Sequence, residues 1–178
     1  AKAALAALAL AGAAIAAAPD LEGAQNAIVA QTAQLLGADS VELWIEATGG
    51  RLQQVASHGP GAHPSPDGES VALAAHRNRG LHHLTAGEST WSAAPVQIGD
   101  VNLGALAIRH DRGAPPHAED VLLGWAAQIA AFLDRARRAD TERRHAGELA
   151  ELAEIAREIA GALEDADDPR QLLGRLTE

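Results

Sequence analysis

The sequence predicts an α+β fold, an antiparallel sheet of five or six strands with helices on both faces and long N- and C-terminal helices. Three observations carry that prediction. Val41-Glu42-Leu43-Trp44-Ile45-Glu46 alternates apolar and polar residues and is joined through Thr48-Gly49-Gly50 to Arg51–Ser57, the pattern of a β-hairpin. A second pair of strand-like runs, Thr90–Gln97 and Val101–Arg109, flanks the tight turn Ile98-Gly99-Asp100. Helical periodicity brackets both hairpins, over Leu21–Leu36 and from Ala118 onward.

Taken in chain order, Ala3–Ala18 is uncharged and apolar, follows Lys2 and runs into Ala16-Ala17-Ala18-Pro19. A cleaved leader has that pattern. As a membrane span it reaches only about 24 Å against a hydrocarbon core of roughly 30 Å. Leu5, Leu8, Gly12 and Ile15 fall at 3-4-3 spacing, the seam of a helix packed on a partner, and this reading is preferred to a leader or a membrane piece. Pro19 breaks that helix and Asp20 caps the next. Leu21–Leu36 presents Ala24, Ile28, Gln31, Leu35 and Leu36 as one stripe and stops at Gly37.

Val41, Leu43 and Ile45 are expected on one face of the first strand. Gly59–Gly68, rich in proline and glycine, reads as a loop, and Glu69–Arg79 as a short helix with Val71, Ala74 and Ala75 inward. Leu81–Leu84 reads as an edge strand. Val101–Arg109 is apolar on both faces and is therefore expected at the centre of the sheet.

The last helix repeats apolar residues at Leu122, Ala126, Ile129, Leu133 and Ala136, then at Leu149, Leu152, Ala156, Ile159 and Leu163. The second seam starts one residue short of two heptads after the first, a slip that re-phases a coiled coil. A continuous helix over Ala118–Glu164 would be about 70 Å long, far more than one small domain needs, so it is expected to be a dimeric linker. Leu122, Ile129, Leu133, Leu149, Leu152, Ile159 and Leu163 are the candidate dimerisation residues. Alternatively Asp140-Thr141-Glu142 caps a fresh helix, making 141–147 a hinge. The expected divisions are 1–18, an Ala-rich helix; 19–138, the α+β domain; and 139–178, the linker.

Composition removes several functions. With no cysteine among 178 residues, disulfides, thiol catalysis and cysteine-ligated metal are excluded. A formal charge of −10 argues against a nucleic-acid surface, and the Arg135, Arg137, Arg138, Arg143, Arg144 cluster reads as a solvated helix face. Trp44, Trp91, Trp125 and Phe132 are the only aromatic residues, so the core rests on Ala, Leu, Val and Ile and offers no base-stacking platform. Gly59, Gly61 and Gly68 lack the spacing of a phosphate loop.

The order Ala94-Pro95-Val96, Gly99-Asp100, Leu103-Gly104-Ala105-Leu106, then Glu119-Asp120-Val121-Leu122-Leu123 and Ala126-Ala127-Gln128-Ile129-Ala130 resembles a GAF domain, a small-molecule-sensing module of signalling proteins, over about Leu21–Arg138. The resemblance implies a ligand cavity walled by the short helix and the strand after it. Trp44, His58, His76, His82, His83 and Trp91 are the candidate lining residues. Adjacent on a strand, His82 and His83 point to opposite faces and cannot share a metal; no metal site is identified.

Some members bind haem through a histidine in this region, which implies a test for haem; otherwise no cofactor is identified. The family's cyclic-nucleotide residue set is absent, since Lys2 and Phe132 are the only residues of their kinds. Covalent bilin attachment and thiol-based sulfoxide reduction, also known in the family, need the missing cysteine. His110 is expected to be hydrogen-bonded or solvated. His145 lacks the acidic neighbour and downstream proline of a phosphoacceptor helix.

Leu152–Leu163 and Asp168-Pro169-Arg170-Gln171-Leu172-Leu173 resemble the opening helices of another sensory domain, and the chain does not begin with Met, so a fragment of a longer receptor is expected. The resemblance thus implies a non-catalytic, cytoplasmic sensory domain, homodimeric through its terminal helices and binding an unidentified small molecule. The charge of −10 leads us to expect no nucleic-acid partner, and no membrane span is expected for this fragment. The alternatives are a degenerate domain serving as a dimerisation spacer and the effector domain of a transcription regulator.

Overall fold

A computed structural model of the protein describes residues 2–47, 49–60 and 64–164, with side chains described within 9–161. The chain forms two compact units, Ala1–Arg137 and Arg138–Glu178. In order, its elements are α1 (Lys2–Ala16), α2 (Leu21–Leu36), β1 (Ser40–Glu46), β2 (Leu52–His58), α3 (Pro66–Asn78), β3 (His82–Ala86), β4 (Ser89–Ile98), β5 (Val101–His110) and α4 (Ala118–Glu164).

The five strands form one antiparallel sheet in the order β2-β1-β5-β4-β3. The doubly apolar β5 takes the centre, as expected. Gly104 sits there at φ +156, where a Cβ would lie 2.0 Å from the Trp44 carbonyl oxygen, so only glycine fits at this irregular point of the ladder.

Helices cover both faces. One face carries Val41, Leu43, Ile45, Ala94, Val96, Leu106 and Ile108, buried against α1, α2 and the start of α4. The other carries Trp44, Trp91, Ala93, Ala105 and Ala107 under Val71, Ala72 and Ala75 of α3. The α1 seam packs within its own chain: Ala11 and Ile15 are buried, and Gly12 lets the helix approach Phe132 of α4 so closely that a Cβ would meet its ring at 3.0 Å. The side chains of Leu5 and Leu8 lie outside the described residues.

Asp20 caps α2 through its carboxylate, which accepts from the Gly23 N–H at 2.7 Å, and Gly37 closes the helix at φ +60. Within α2, Val29, Thr32 and Ala33 join Ala24, Ile28 and Leu36 in the core, while Gln31 and Leu35 are half-buried. The stripe is therefore rotated slightly from its expected place.

Several expectations need correction. α3 begins at Pro66 rather than Glu69, because Ser65 caps it and Pro66 occupies the first turn, where its fixed φ and missing N–H suit a helix start. Its buried face includes Ala72 in place of Ala74. Arg79 takes the left-handed cap at φ 52, and β3 runs on to Ala86.

The largest correction concerns α4. Leu122, Ile129 and Leu133 are fully buried in the core of the first unit, together with Trp125, Ala126 and Ala130. The first seam is thus the domain's own packing face and is not available to a second copy. Beyond Arg137 the helix continues without a break to Glu164, so 141–147 is helical. There Leu149, Leu152, Ile155 and Ile159 are exposed; the side chain of Leu163 and all of 165–178 lie outside the described residues. Among the described residues no helix is long and apolar enough to cross a membrane.

Candidate functional site

The α3 face of the sheet is built around a buried carboxylate. Glu42 lies between the apolar Val41 and Leu43 on β1 and is only 2% exposed. Its Oε2 accepts from the Trp44 indole Nε1 at 3.0 Å, two residues along the strand and on the same face. Its Oε1 accepts from the backbone N–H of Ser65 at 3.2 Å, directly before α3. The first turn of α3 sits on this group: a Cβ on Gly68 would lie 2.2 Å from Glu42 Oε2 and 3.0 Å from Trp91 Cζ3. Burial pushes the Glu42 carboxyl above its ordinary range. The Ser65 N–H, the Trp44 indole and the Arg109 charge hold it down, and Glu69 adds to the rise. Arg109 stands 5.8 Å over the Trp91 ring and pairs with Asp111 at 2.9 Å.

The six candidate lining residues do not converge on one cavity. Trp44 and Trp91 are buried on the α3 face, where they fill space rather than enclose it. His82 shares that face through its pairing with Ala93, and its Nε2 lies 2.9 Å from Asn78 Nδ2. His76, on α3, faces Glu46 at 3.5 Å. His58 ends β2 opposite Val41, on the other side of the sheet, and is exposed. His83 also turns to that other side, as alternation requires; its Nδ1 lies 3.3 Å from both Ser92 Oγ and Glu119 Oε1. Serine and carboxylate thus meet the same ring nitrogen, which leaves no relay of the nucleophile–base–acid kind. His110 is buried with its Nε2 3.2 Å from the Leu36 carbonyl oxygen, a structural hydrogen bond.

A haem does not fit this face. Its plane would need the space held by Trp44, Trp91 and the first turn of α3, and among the described residues the histidines of that side, His76 and His82, are engaged. Among the described residues no three His, Asp or Glu side chains are grouped to hold a metal ion.

Sequence reasoning missed Glu42. Apolar and polar residues alternate along this strand, yet β1 is buried on both faces up to Ile45. A readable signal was present: Gly68 falls inside a helix that Ser65-Pro66 opens, and glycine in a first turn marks a close approach. Sequence reasoning also missed the open groove outside α3, where two connected hollows of about 460 Å³ each share Gly50, Leu73 and Arg77.

No protein-family model and no curated protein matches the sequence. Solved structures do match in architecture. The GAF domain of an Acinetobacter phosphoenolpyruvate-protein phosphotransferase superposes with a TM-score of 0.65 at 17% identity, covering 78% of this chain and 97% of that one. The GAF-B domain of DevS from Mycobacterium smegmatis gives 0.52 at 22% identity, over 67% and 95%. The bacteriophytochrome RpBphP3 from R. palustris gives 0.67 at 10% identity, over 94% of this chain and 43% of that one. With its 2-1-5-4-3 antiparallel sheet, α3 on one face and α1, α2 and α4 on the other, this chain has the fold of a GAF domain.

Proposed function

We propose that the chain is a non-catalytic sensory or regulatory GAF-type module of a cytoplasmic, multidomain signalling protein, and that it passes its state along α4 to a second copy and an output domain. The observation that carries this is the dual use of one helix. Leu122, Trp125, Ile129 and Leu133 are fully buried against the sheet layer, while Leu149, Leu152, Ile155 and Ile159 downstream are 66%, 62%, 47% and 56% exposed. An apolar stripe of that length on a solvated helix favours pairing with another helix. Any rotation of the buried half carries the downstream stripe with it, so a small bias at the sheet changes which register the pair prefers. The fold's occurrence in a phosphotransferase, in DevS and in a bacteriophytochrome supports a module within a larger protein.

Sedimentation tests it. The wild-type chain is expected to dimerise and the Leu152→Lys and Ile159→Lys variants to dissociate. A monomeric wild type, or lysine variants that sediment unchanged, would refute the relay.

A second reading, a dimerisation spacer that binds nothing, is favoured by one observation: Trp44, Trp91, Glu42 and the α3 alanines fill the face where the family's ligands are expected. Native mass spectrometry separates the two, since a retained small molecule supports sensing and a ligand-free dimer supports the spacer.

A further inference from the structure

We propose that the groove between α3 and the β1–β2 turn binds a small anion carrying phosphate or carboxylate groups, gripped by Arg51, Arg77 and Arg79. The two hollows of this groove take Arg51 and Arg77 into one wall and Arg77 and Arg79 into the other. The chain is strongly acidic, at −10, so most of its surface repels anions. Here, however, Arg51 and Arg77 line one hollow and Arg77 and Arg79 the adjoining one, and among the described residues none of the three forms an ion pair. Arg77 and Arg79 at the C-terminal end of α3 also suit the helix dipole. Arg51 comes from a different element and has no such reason to be there.

Leu52, Leu73 and Val101 add apolar side chains to an otherwise polar lining, and each hollow has the volume of a metabolite site. Guanidinium forks recognise carboxylate and phosphate oxygens in pairs, so the chemistry selects an anion with two or more acceptor oxygens. Of the two acids nearby, Glu46 is engaged by His76 at 3.5 Å. Glu69 lines the groove without an ion pair and opposes an anion there. His76 makes part of the same wall, and its buried Nδ1 has no hydrogen-bond partner among the described residues.

The site lies beside α3, at the edge of the Glu42 face, and does not depend on any relay through α4. The test is a titration of the full chain with inorganic phosphate and, separately, with succinate, against sodium chloride at matched ionic strength. It is read by calorimetry and by the His76 ring resonances. Saturable binding of at least one probe is expected. Arg77→Ala and Arg51→Ala should each weaken it about tenfold, the loss of one charge-assisted pair, while Glu69→Gln strengthens it and Arg112→Ala, remote from the groove, leaves it unchanged. Circular dichroism confirms that the variants fold. Binding of phosphate alone assigns a phosphorylated ligand, and binding of succinate alone a polycarboxylate. The proposal is overturned if neither probe saturates, if the response follows ionic strength only, or if both arginine variants bind like the wild type.

Discussion

The Trp125 indole Nε1 donates to Thr32 Oγ1 at 2.9 Å, joining α4 to α2 inside the core. Thr32 Oγ1 in turn donates to the Ile28 carbonyl at 2.7 Å, so the one hydroxyl both accepts and donates. This pair is a directional contact between two helices that otherwise meet the core through apolar packing. Thr32→Val removes the acceptor and keeps the volume, leaving a buried N–H unsatisfied. A loss of about 1–3 kcal/mol is expected, measured by urea denaturation of wild type and variant. A neutral substitution would show that packing alone holds the helix.

Glu42 should make stability depend on pH in an unusual direction. Its folded-state pKa is raised above the ordinary 4.5, so the folded state binds the proton more tightly than the unfolded chain. The contribution is then fully present below the unfolded value and is lost as pH rises through the folded one. Glu42→Gln removes this titration. The melting temperature of the wild type relative to Glu42→Gln is therefore expected to fall as pH is raised from about 4 to about 7. Taking the difference cancels the background titration common to both proteins. A difference that stays flat, or that rises, would contradict the raised carboxyl.

Gly68 and Glu42 form a coupled pair. Alanine is the better helix former by about 1 kcal/mol, yet the Cβ of Gly68→Ala would meet Glu42 Oε2 at 2.2 Å and Cδ at 2.8 Å. The carboxylate is held by two donors and cannot swing away without losing them. Gly68→Ala should thus destabilise the wild type by about 1–3 kcal/mol, and the penalty should shrink in the Glu42→Ala background. A double-mutant cycle in urea measures this coupling. Additivity within error would mean that α3 does not rest on the carboxylate.

What could be read from the sequence, and what could not, follows from which forces are local. The two hairpins were legible because alternation and Gly-Asp or Gly-Gly turns are set within a few residues, and Asp20 and Gly37 mark α2 through short-range chemistry. The opposite orientations of His82 and His83 follow from strand geometry alone. Glu42 was not legible, because its burial depends on two donors supplied from elsewhere, the Trp44 ring and the backbone before α3. The groove of arginines was equally hidden, since Arg51 and Arg77 are brought together only when α3 packs on the sheet. Spacing alone assigns both α4 repeats to pairing with a second copy, yet the first is buried in the chain's own core and the second is exposed, because spacing cannot say which surface an apolar stripe meets.

That ambiguity gives the last prediction. Leu133 and Leu149 occupy comparable positions in apolar repeats of the same helix, yet Leu133 is fully buried and Leu149 is 66% exposed. Leu133→Ala removes side-chain volume from a packed core and should cost about 2–5 kcal/mol. Leu149→Ala exposes nothing new within the chain. At dilutions where the chain is monomeric it should leave the thermal midpoint of the first unit in place, and at higher concentration it should lower the apparent stability by weakening association. The two variants therefore differ in concentration dependence as well as in size of effect. Equal, concentration-independent losses from both would mean that Leu149 is buried within a single chain, and the division of α4 into a core half and a pairing half would fail.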